Sequence, residues 1–232
     1  MGPQGVRDIG LTLAETPVIC RASGGLWLGL SRTLVVADMH LEKGSAYAAR
    51  GQLLPPYDTI ETLARLESEV AQLDPARIVL LGDSFHDADA GARLSTATLD
   101  RISAMAALRR MIWVRGNHDA ALPAGLPGDQ TDQLCLEGLS LVHEPARQDC
   151  PQGEVSGHLH PCARVKGRGG SVRRRCFVND DQRLILPAFG AYAGGLNVRD
   201  PAIAGLLRGV PMVTVLGLHR VHAVGWASLR GD

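Results

Sequence analysis

The residues able to do chemistry in this chain gather in five short blocks, each placed where an apolar run ends. They are Asp38 and His40 in "DMH", Asp83 and His86 in "GDSFH", Asn117 and His118 in "GNHD", His143 in "VHE", and His158 and His160 in "GHLH". Six of the eight histidines fall in these blocks. His219 and His222 lie outside and read as polar positions of a C-terminal strand, "HRVHAVGW". Carboxylate, imidazole and one amide oxygen, with no thiolate, suit a divalent ion of borderline to hard character: manganese or iron, with zinc also fitting. Asp38, His40, Asp83, Asn117, His143, His158 and His160 are more groups than one ion needs. Two ions sharing a carboxylate would use all seven, and Asp83, alone on its strand end, is the natural bridge. Two ions roughly 3.5–4 Å apart can activate a water and neutralise a phosphoryl group during in-line displacement, so the expected chemistry is phosphoester hydrolysis.

Taken singly, each block has a plainer explanation. An Asp-x-His pair is common, "GNHD" reads equally as a Gly-Asn turn, and histidines two apart face opposite ways on an extended strand unless a turn redirects them. The conjunction carries the argument, because every block follows an apolar run at the same end.

The elements that must position these groups are legible from periodicity. "LTLAETPVICRASGGLWLGL" alternates apolar runs with turn signals and predicts two or three antiparallel strands. "TLVVADMH", "RIVLLGD" and "MIWVRGNHD" predict buried strands ending at chemical residues. Between them, "DTIETLARLESEVAQL" (58–73) predicts a helix with Ile60, Leu63, Leu66, Val70 and Leu73 as its apolar stripe and Asp58 as its cap, and "LSTATLDRISAMAAL" predicts a second helix. Strand, helix and strand in alternation argue for βαβ units, whose ligands sit beyond the carboxyl ends of the strands. After residue 130 the runs "LSLVHE", "EVSGHLH", "CFVN" and "RLILPAFG" predict a second sheet without long helices. No internal repeat or long linker divides the 232 residues, so one domain spanning 1–232 is expected.

Composition excludes several classes. Lys plus Arg and Asp plus Glu both number 24, which rules out a uniformly cationic nucleic-acid coat but permits a local basic patch. Hydrophobic residues at 45% and charged residues at 21% indicate a globular chain rather than a disordered one or a coiled coil. Cys20, Cys135, Cys150, Cys162 and Cys176 are scattered without a Cys-x-x-Cys pair and read as reduced thiols. With no membrane-spanning run and no apolar signal core, a cytoplasmic location is expected.

The order "DMH…GDSFH…GNHD…H…GHLH", running from Asp38 to His160 over about half of the chain, resembles the calcineurin-like metallophosphoesterase superfamily. The resemblance implies an α/β fold, a four-layer αββα sandwich of two mixed β-sheets flanked by helices, with a dinuclear centre at the strand ends. It implies that Asp38, His40, Asp83 and His160 hold one ion, and Asp83, Asn117, His143 and His158 the other. Many phosphomonoesterases of the superfamily carry Asp three residues after the bridging Asp; here that residue is His86, and "GDSFH" is similar to double-strand-break repair nucleases. His118 and His86 are therefore expected as catalytic groups, His118 donating to the leaving oxygen or stabilising developing charge. Asp87 and Asp119 are expected to support them, Asp87 by orienting His118. "DMHLEKG" and "LPAFGAYAGGLNV" resemble the bacterial ligase-associated DNA damage response endonuclease subfamily, which implies DNA as substrate and association with a DNA ligase and a helicase.

Arg164, Lys166, Arg168, Arg173, Arg174 and Arg175 follow the last block in a glycine-containing hairpin. They are expected to hold phosphates flanking the scissile one, or else to be a solvated loop. Tyr47 and Tyr192 stand near the site-forming segments, and nothing in the sequence provides base readout. A nuclease with weak sequence preference is the first expectation. A phosphoesterase acting on cyclic nucleotides or nucleotide pyrophosphates, and a metal-stabilised scaffold, are the alternatives.

Overall fold

A computed structural model describes residues 8–52, 54–55, 57–118, 122–147, 153–167 and 170–232; Asp119, Cys150 and Arg168 lie outside the described residues. The first sheet runs in the order β1 (Ile9–Leu13), β2 (Thr16–Cys20), β3 (Leu26–Leu28), β4 (Thr33–Ala37), β5 (Arg77–Leu81), β6 (Arg110–Val114), β7 (Asp129–Thr131). Its first four strands pair antiparallel and its last four parallel. The helices α1 (Lys43–Ala49), α2 (Asp58–Leu73), α3 (Ala90–Arg93) and α4 (Thr96–Ala106) lie in the segments joining β4, β5 and β6.

The second sheet contains β8 (Gln133–Leu136), β9 (Leu139–Val142), β10 (Glu154–Ser156), β11 (Cys162–Gly167), β12 (Gly170–Asn179), β13 (Arg183–Ile185), β14 (Met212–Leu216), β15 (Val221–Gly225) and β16 (Leu229–Arg230). Its main path is β15-β14-β12-β13-β10-β9-β8, with β11 paired to β12 and β16. Among the described residues only β10 pairs parallel in this sheet, with β9 on one side and β13 on the other, so both sheets are mixed.

The two sheets pack face to face because their strands are apolar on both sides. Alternate residues leave a strand on opposite faces, so Val35, Ala37, Val79, Leu81, Ile112 and Val114 meet Leu141, Val155, Phe177 and Leu184 between the sheets. Leu34, Val36, Ile78, Leu80, Met111 and Trp113 point the other way, onto Leu63, Leu66 and Val70 of α2 and Ile102 and Met105 of α4. The outer face of the second sheet is covered more thinly. Val178, Ile185, Val213 and Val215 pack there against Val198, Leu229 and Ile203 of α5 (Pro201–Ala204). Among the described residues the fourth layer is thus one short α-helix with flanking loops and strands, as expected of a region lacking helical periodicity.

Two details of α2 differ from expectation. Its buried face carries Thr59, Thr62, Leu63, Leu66, Glu69 and Val70, while Ile60 is 58% exposed. Ile60 sits about 120° from Leu66 around a helix of 3.6 residues per turn, off the packed face. Asp58 is not the cap of its own helix, where Tyr57 holds the N-cap position without a side-chain bond. The Asp58 carboxylate instead accepts the Gly44 N–H at 3.0 Å, and Thr59 Oγ1 accepts the Glu42 N–H at 2.8 Å. The first turn of α2 therefore satisfies unpaired donors at the start of α1, which leads directly from the first chemical block.

Cys20, Cys162 and Cys176 are buried free thiols and Cys135 is an exposed one. Among the described residues no helix is long and apolar enough to cross a membrane. His222 lies exposed on β15, and His219 in the turn before it.

Candidate metal centre

Parallel pairing brings the ends of β4, β5 and β6 side by side. Asp38 is the first residue after β4, Asp83 the second after β5 and Asn117 the third after β6. In the second sheet, His143 directly follows β9 and His158 is the second residue after β10. The sheets deliver these groups to one place, in two trios: Asp38, His40 and His160, and Asp83, His143 and His158.

In the first trio His160 Nε2 lies 3.2 Å from His40 Nε2 and 3.4 Å from Asp38 Oδ1. In the second, His143 Nε2 lies 3.2 Å from His158 Nδ1, 3.4 Å from Asp83 Oδ1 and 2.9 Å from the Asn117 amide oxygen. The trios adjoin, since His143 Nδ1 is 3.7 Å from Asp38 Oδ1. Asp38 is fully buried, Asp83 nearly so, and His118 is nearly half exposed. The carboxylates are therefore the floor and His118 is on the rim.

Backbone geometry explains how residues so close in sequence reach their places. Asp38, His40, Asp83, His158 and His160 all have positive φ, between 45° and 67°. That left-handed region is uncommon outside glycine, though Asp and His are enriched among its exceptions, and clustered outliers of this kind are typical of functional sites. Because β10 has ended at Ser156, His158 and His160 are redirected by the turn rather than alternating across a strand. His158 joins the second trio and His160 the first, so one turn serves both.

The buried carboxylates are held by backbone donors. His158 N–H donates to Asp38 at 2.9 Å and His118 N–H donates to Asp83 Oδ1 at 3.0 Å. Burial raises the Asp83 carboxyl, but the His143 hydrogen bond and charge, the His118 N–H and the His40 charge outweigh it and bring its pKa down to about 2. Burial, reinforced by the His160 charge, pushes His40 down to about 3. Burial also opposes charge on His143, yet Asp83 and Asp38 hold its pKa above the ordinary imidazole value.

These residues fit divalent ions. His143 Nδ1 faces the Leu81 carbonyl at 3.3 Å and can donate to it, which turns the Nε2 lone pair toward the trio. That lone pair then confronts the Asn117 oxygen, His158 Nδ1 and an Asp83 oxygen together. Without a cation these acceptors favour a proton on Nε2, the reason Asp83 and Asp38 raise the His143 pKa, and a divalent ion can take the place of that proton. His40 Nδ1 is also buried without a hydrogen-bond partner.

Two glycines make room for the cluster. At Gly82, with φ +72°, a Cβ would lie 2.2 Å from His143 Nδ1; at Gly157 it would lie 2.6 Å from Asp38 Oδ2. Gly82→Ala is expected to lose about 2–5 kcal/mol in urea unfolding, from left-handed strain plus overpacking. It should also displace His143 and weaken metal uptake; wild-type stability with wild-type metal content would contradict this account. The trace of Gly82 and Gly157 in the sequence is a glycine directly before a chemical residue at a strand end, in "GD" and "GH".

His118 Nδ1 meets the His86 carbonyl at 3.1 Å, and its Nε2 lies 3.9 Å from Asp83 Oδ2. The His86 ring stacks near His118 at 6.1 Å and also approaches His40 and Tyr47. Burial and the Lys43 charge lower the pKa of His86. Asp87 does not supply the orienting contact expected of it. Its carboxylate turns away to Arg93 at 2.5 Å, with Arg50 at 4.0 Å, and the carbonyl of the preceding residue holds His118 instead.

The basic hairpin forms from β11 and β12, with Arg164 opposite Arg173 and Cys162 opposite Arg175. Arg164, Lys166 and Arg173 share one face of it, while Arg174 leaves from the other. Arg175 differs from expectation, since its guanidinium turns inward to the carbonyls of Ala188 at 2.8 Å and Gly190 at 2.9 Å. The N–H groups of Phe189 and Gly190 bond the carbonyls of Ala37 and Asp38, so Arg175 braces the strand end that carries Asp38 rather than reaching outward.

The model of the family described as calcineurin-like phosphoesterase matches residues 31–191, a stretch holding all five blocks and both trios. The chain belongs to that family. As a calcineurin-like phosphoesterase it is a hydrolase of phosphoester bonds, and the family's use of divalent metals agrees with the two trios. Among solved structures, the Pseudomonas putida nuclease MPE matches with a TM-score of 0.73 and 29% identity, over 94% of this chain and 100% of that one. A nuclease is the kind of neighbour that resemblance to the ligase-associated endonucleases leads one to expect. Yfce, a phosphoesterase from E. coli, matches with a TM-score of 0.41 and 18% identity, over 83% of this chain and 98% of that one. Among curated proteins none matches.

Proposed function

We propose that this phosphoesterase is a metal-dependent phosphodiesterase acting on nucleic acid, namely DNA, in a repair setting. The observation that carries the reading is the pair of adjoining trios, with lone pairs from both sheets converging on His143 Nε2. Asp38, His40 and His160, with Asp83, would hold one divalent ion; Asp83, Asn117, His143 and His158 would hold the other. Oxygen and imidazole donors favour manganese, and iron and zinc also fit. When bound, such a pair supplies Lewis-acid polarisation of phosphoryl oxygens and a nucleophile at neutral pH.

The protein's own groups do the rest. With Nδ1–H donating to the His86 carbonyl, His118 is left with Nε2 as its reacting nitrogen, placed on the rim to protonate the leaving oxygen. His86 packs beside it as the second proposed catalytic group. Arg164, Lys166 and Arg173 present the accessible face of the hairpin to flanking phosphates, and Arg174 adds charge nearby. The nuclease neighbour supports nucleic acid over small diesters. Association with a DNA ligase and helicase and a cytoplasmic location are proposed on the subfamily resemblance. That residues 1–232 act as one domain is supported by the core shared between both sheets.

The test compares bis-(p-nitrophenyl) phosphate, p-nitrophenyl phosphate and single-stranded DNA with manganese present and chelated. Manganese-dependent cleavage of the diester and of DNA, with little of the monoester, is expected. Cleavage of the small diester alone would move the substrate to small molecules. Inertness toward all three with manganese bound would favour a scaffold.

A further inference from the structure

Lys43 opens α1, three residues after His40, in the block "DMHLEKG". Its Nζ donates to the Tyr192 carbonyl at 3.0 Å, bridging two segments 149 residues apart. Among the described residues it has no carboxylate partner within ion-pair distance, although other cations near the site are committed. Arg93 is paired with Asp87, Arg65 donates to the Phe189 carbonyl, and Arg175 is spent on Ala188 and Gly190. Lys43 is only partly exposed. An ammonium has three donors, and the Tyr192 carbonyl takes one of them, which leaves capacity for an arriving anion.

The position of Lys43 points to which anion. It lies near the rings on the rim, because Tyr47, one turn further along the same face of α1, brings its ring to 5.7 Å from that of His86. On its other side Tyr192 belongs to the segment whose Gly195 carbonyl accepts from Arg173. Three residues of chain span at most about 10 Å, so Lys43 and Arg173 stand at two nearby points along one edge of the site. Arg173 is itself paired with Asp232 at 3.6 Å, so Lys43 adds an ammonium without a carboxylate partner to the edge leading to the hairpin face that carries Arg164 and Lys166.

We propose that Lys43 binds a phosphate flanking the scissile one in a nucleic-acid strand, a reading that rests on the nucleic-acid function proposed above. A purely structural role would consist of tethering the 191–195 segment through the Tyr192 carbonyl. Lys43→Gln keeps a donor for that carbonyl and removes the charge, whereas Lys43→Arg keeps the charge.

Binding of a fluorescently labelled single-stranded phosphorothioate oligonucleotide, read by anisotropy between about 50 and 200 mM salt, separates the two. Lys43→Gln should weaken Kd about five- to tenfold at the lower salt and reduce the slope of log Kd against log salt by about 0.7, one phosphate contact on a single strand. Lys43→Arg should stay close to wild type, and the melting temperature of Lys43→Gln should not fall. Wild-type affinity and slope in Lys43→Gln would overturn the proposal, as would a Lys43→Arg variant as weak as Lys43→Gln. Because binding is read without cleavage, a wild-type protein that binds the oligonucleotide but hydrolyses nothing sinks the hydrolase reading and leaves Lys43 decidable. A wild-type protein that binds no oligonucleotide overturns both.

Discussion

Replacing Asp83 with alanine is expected to strip the protein of bound divalent metal and to lower kcat/KM by about 10⁴-fold or more. Lewis-acid stabilisation of a phosphoryl transition state is worth several kcal/mol, and each 1.36 kcal/mol is a factor of about ten in rate. Asp83 is the residue whose loss touches most of the centre. Its Oδ1 lies 3.4 Å from His143 Nε2 and accepts the His118 N–H at 3.0 Å, so the same carboxylate ties the second trio to the rim histidine. Asp83→Asn keeps the shape and the acceptor but removes the charge, and it should lose most of the metal while remaining folded. Metal analysis of unchelated protein, alongside hydrolysis of bis-(p-nitrophenyl) phosphate, checks both variants. Two ions per chain with near wild-type turnover in Asp83→Ala would remove the basis for the dinuclear centre.

The second large effect is expected at His118, where the pattern should be reversed: turnover falls and metal stays. His118→Ala should lower kcat on DNA by about 10²- to 10⁴-fold, the range for loss of a positioned general acid. The loss should be smaller on a nitrophenyl diester, because nitrophenolate leaves without needing a proton, whereas the alkoxide of a nucleoside needs one. This contrast follows from the geometry. The His118 backbone, not its ring, contacts Asp83 Oδ1, and the ring is oriented by the His86 carbonyl with Nε2 on the exposed rim. Removing the ring therefore leaves both trios intact. If His118→Ala emptied the centre of metal while sparing the residual rate, His118 would be a ligand rather than an acid.

Much of this arrangement is legible in one dimension. The buried strands β4, β5 and β6 are written as runs of branched apolar residues, because a strand covered on both faces needs apolar side chains at odd and even positions alike. The chemical residues follow those runs immediately, since side chains just beyond a parallel strand are the ones able to leave the core without unpairing it. Asp38, Asp83 and Asn117 are therefore legible in the sequence as candidate ligands, as are His143 after β9 and His158 and His160 after β10.

Other features arise only when distant segments meet. That His158 and His160 go to different trios depends on left-handed backbone in a turn, and no periodicity reports it. Asp58 reads locally as the cap of its own helix, yet it serves α1, because its neighbours in space are set by how the two helices pack. Arg175 reads as one more outward arginine, yet the pairing of β12 with β11 and β14 and the backbone of residues 188–190 turn it inward. Lys43 stands inside "DMHLEKG", yet its place beside the site is set by a carbonyl 149 residues away. Strand and helix patterns are recorded within a few residues by side-chain period and burial. Which carboxylate faces which imidazole is decided by the register and packing of two sheets, and that information is spread along the whole chain.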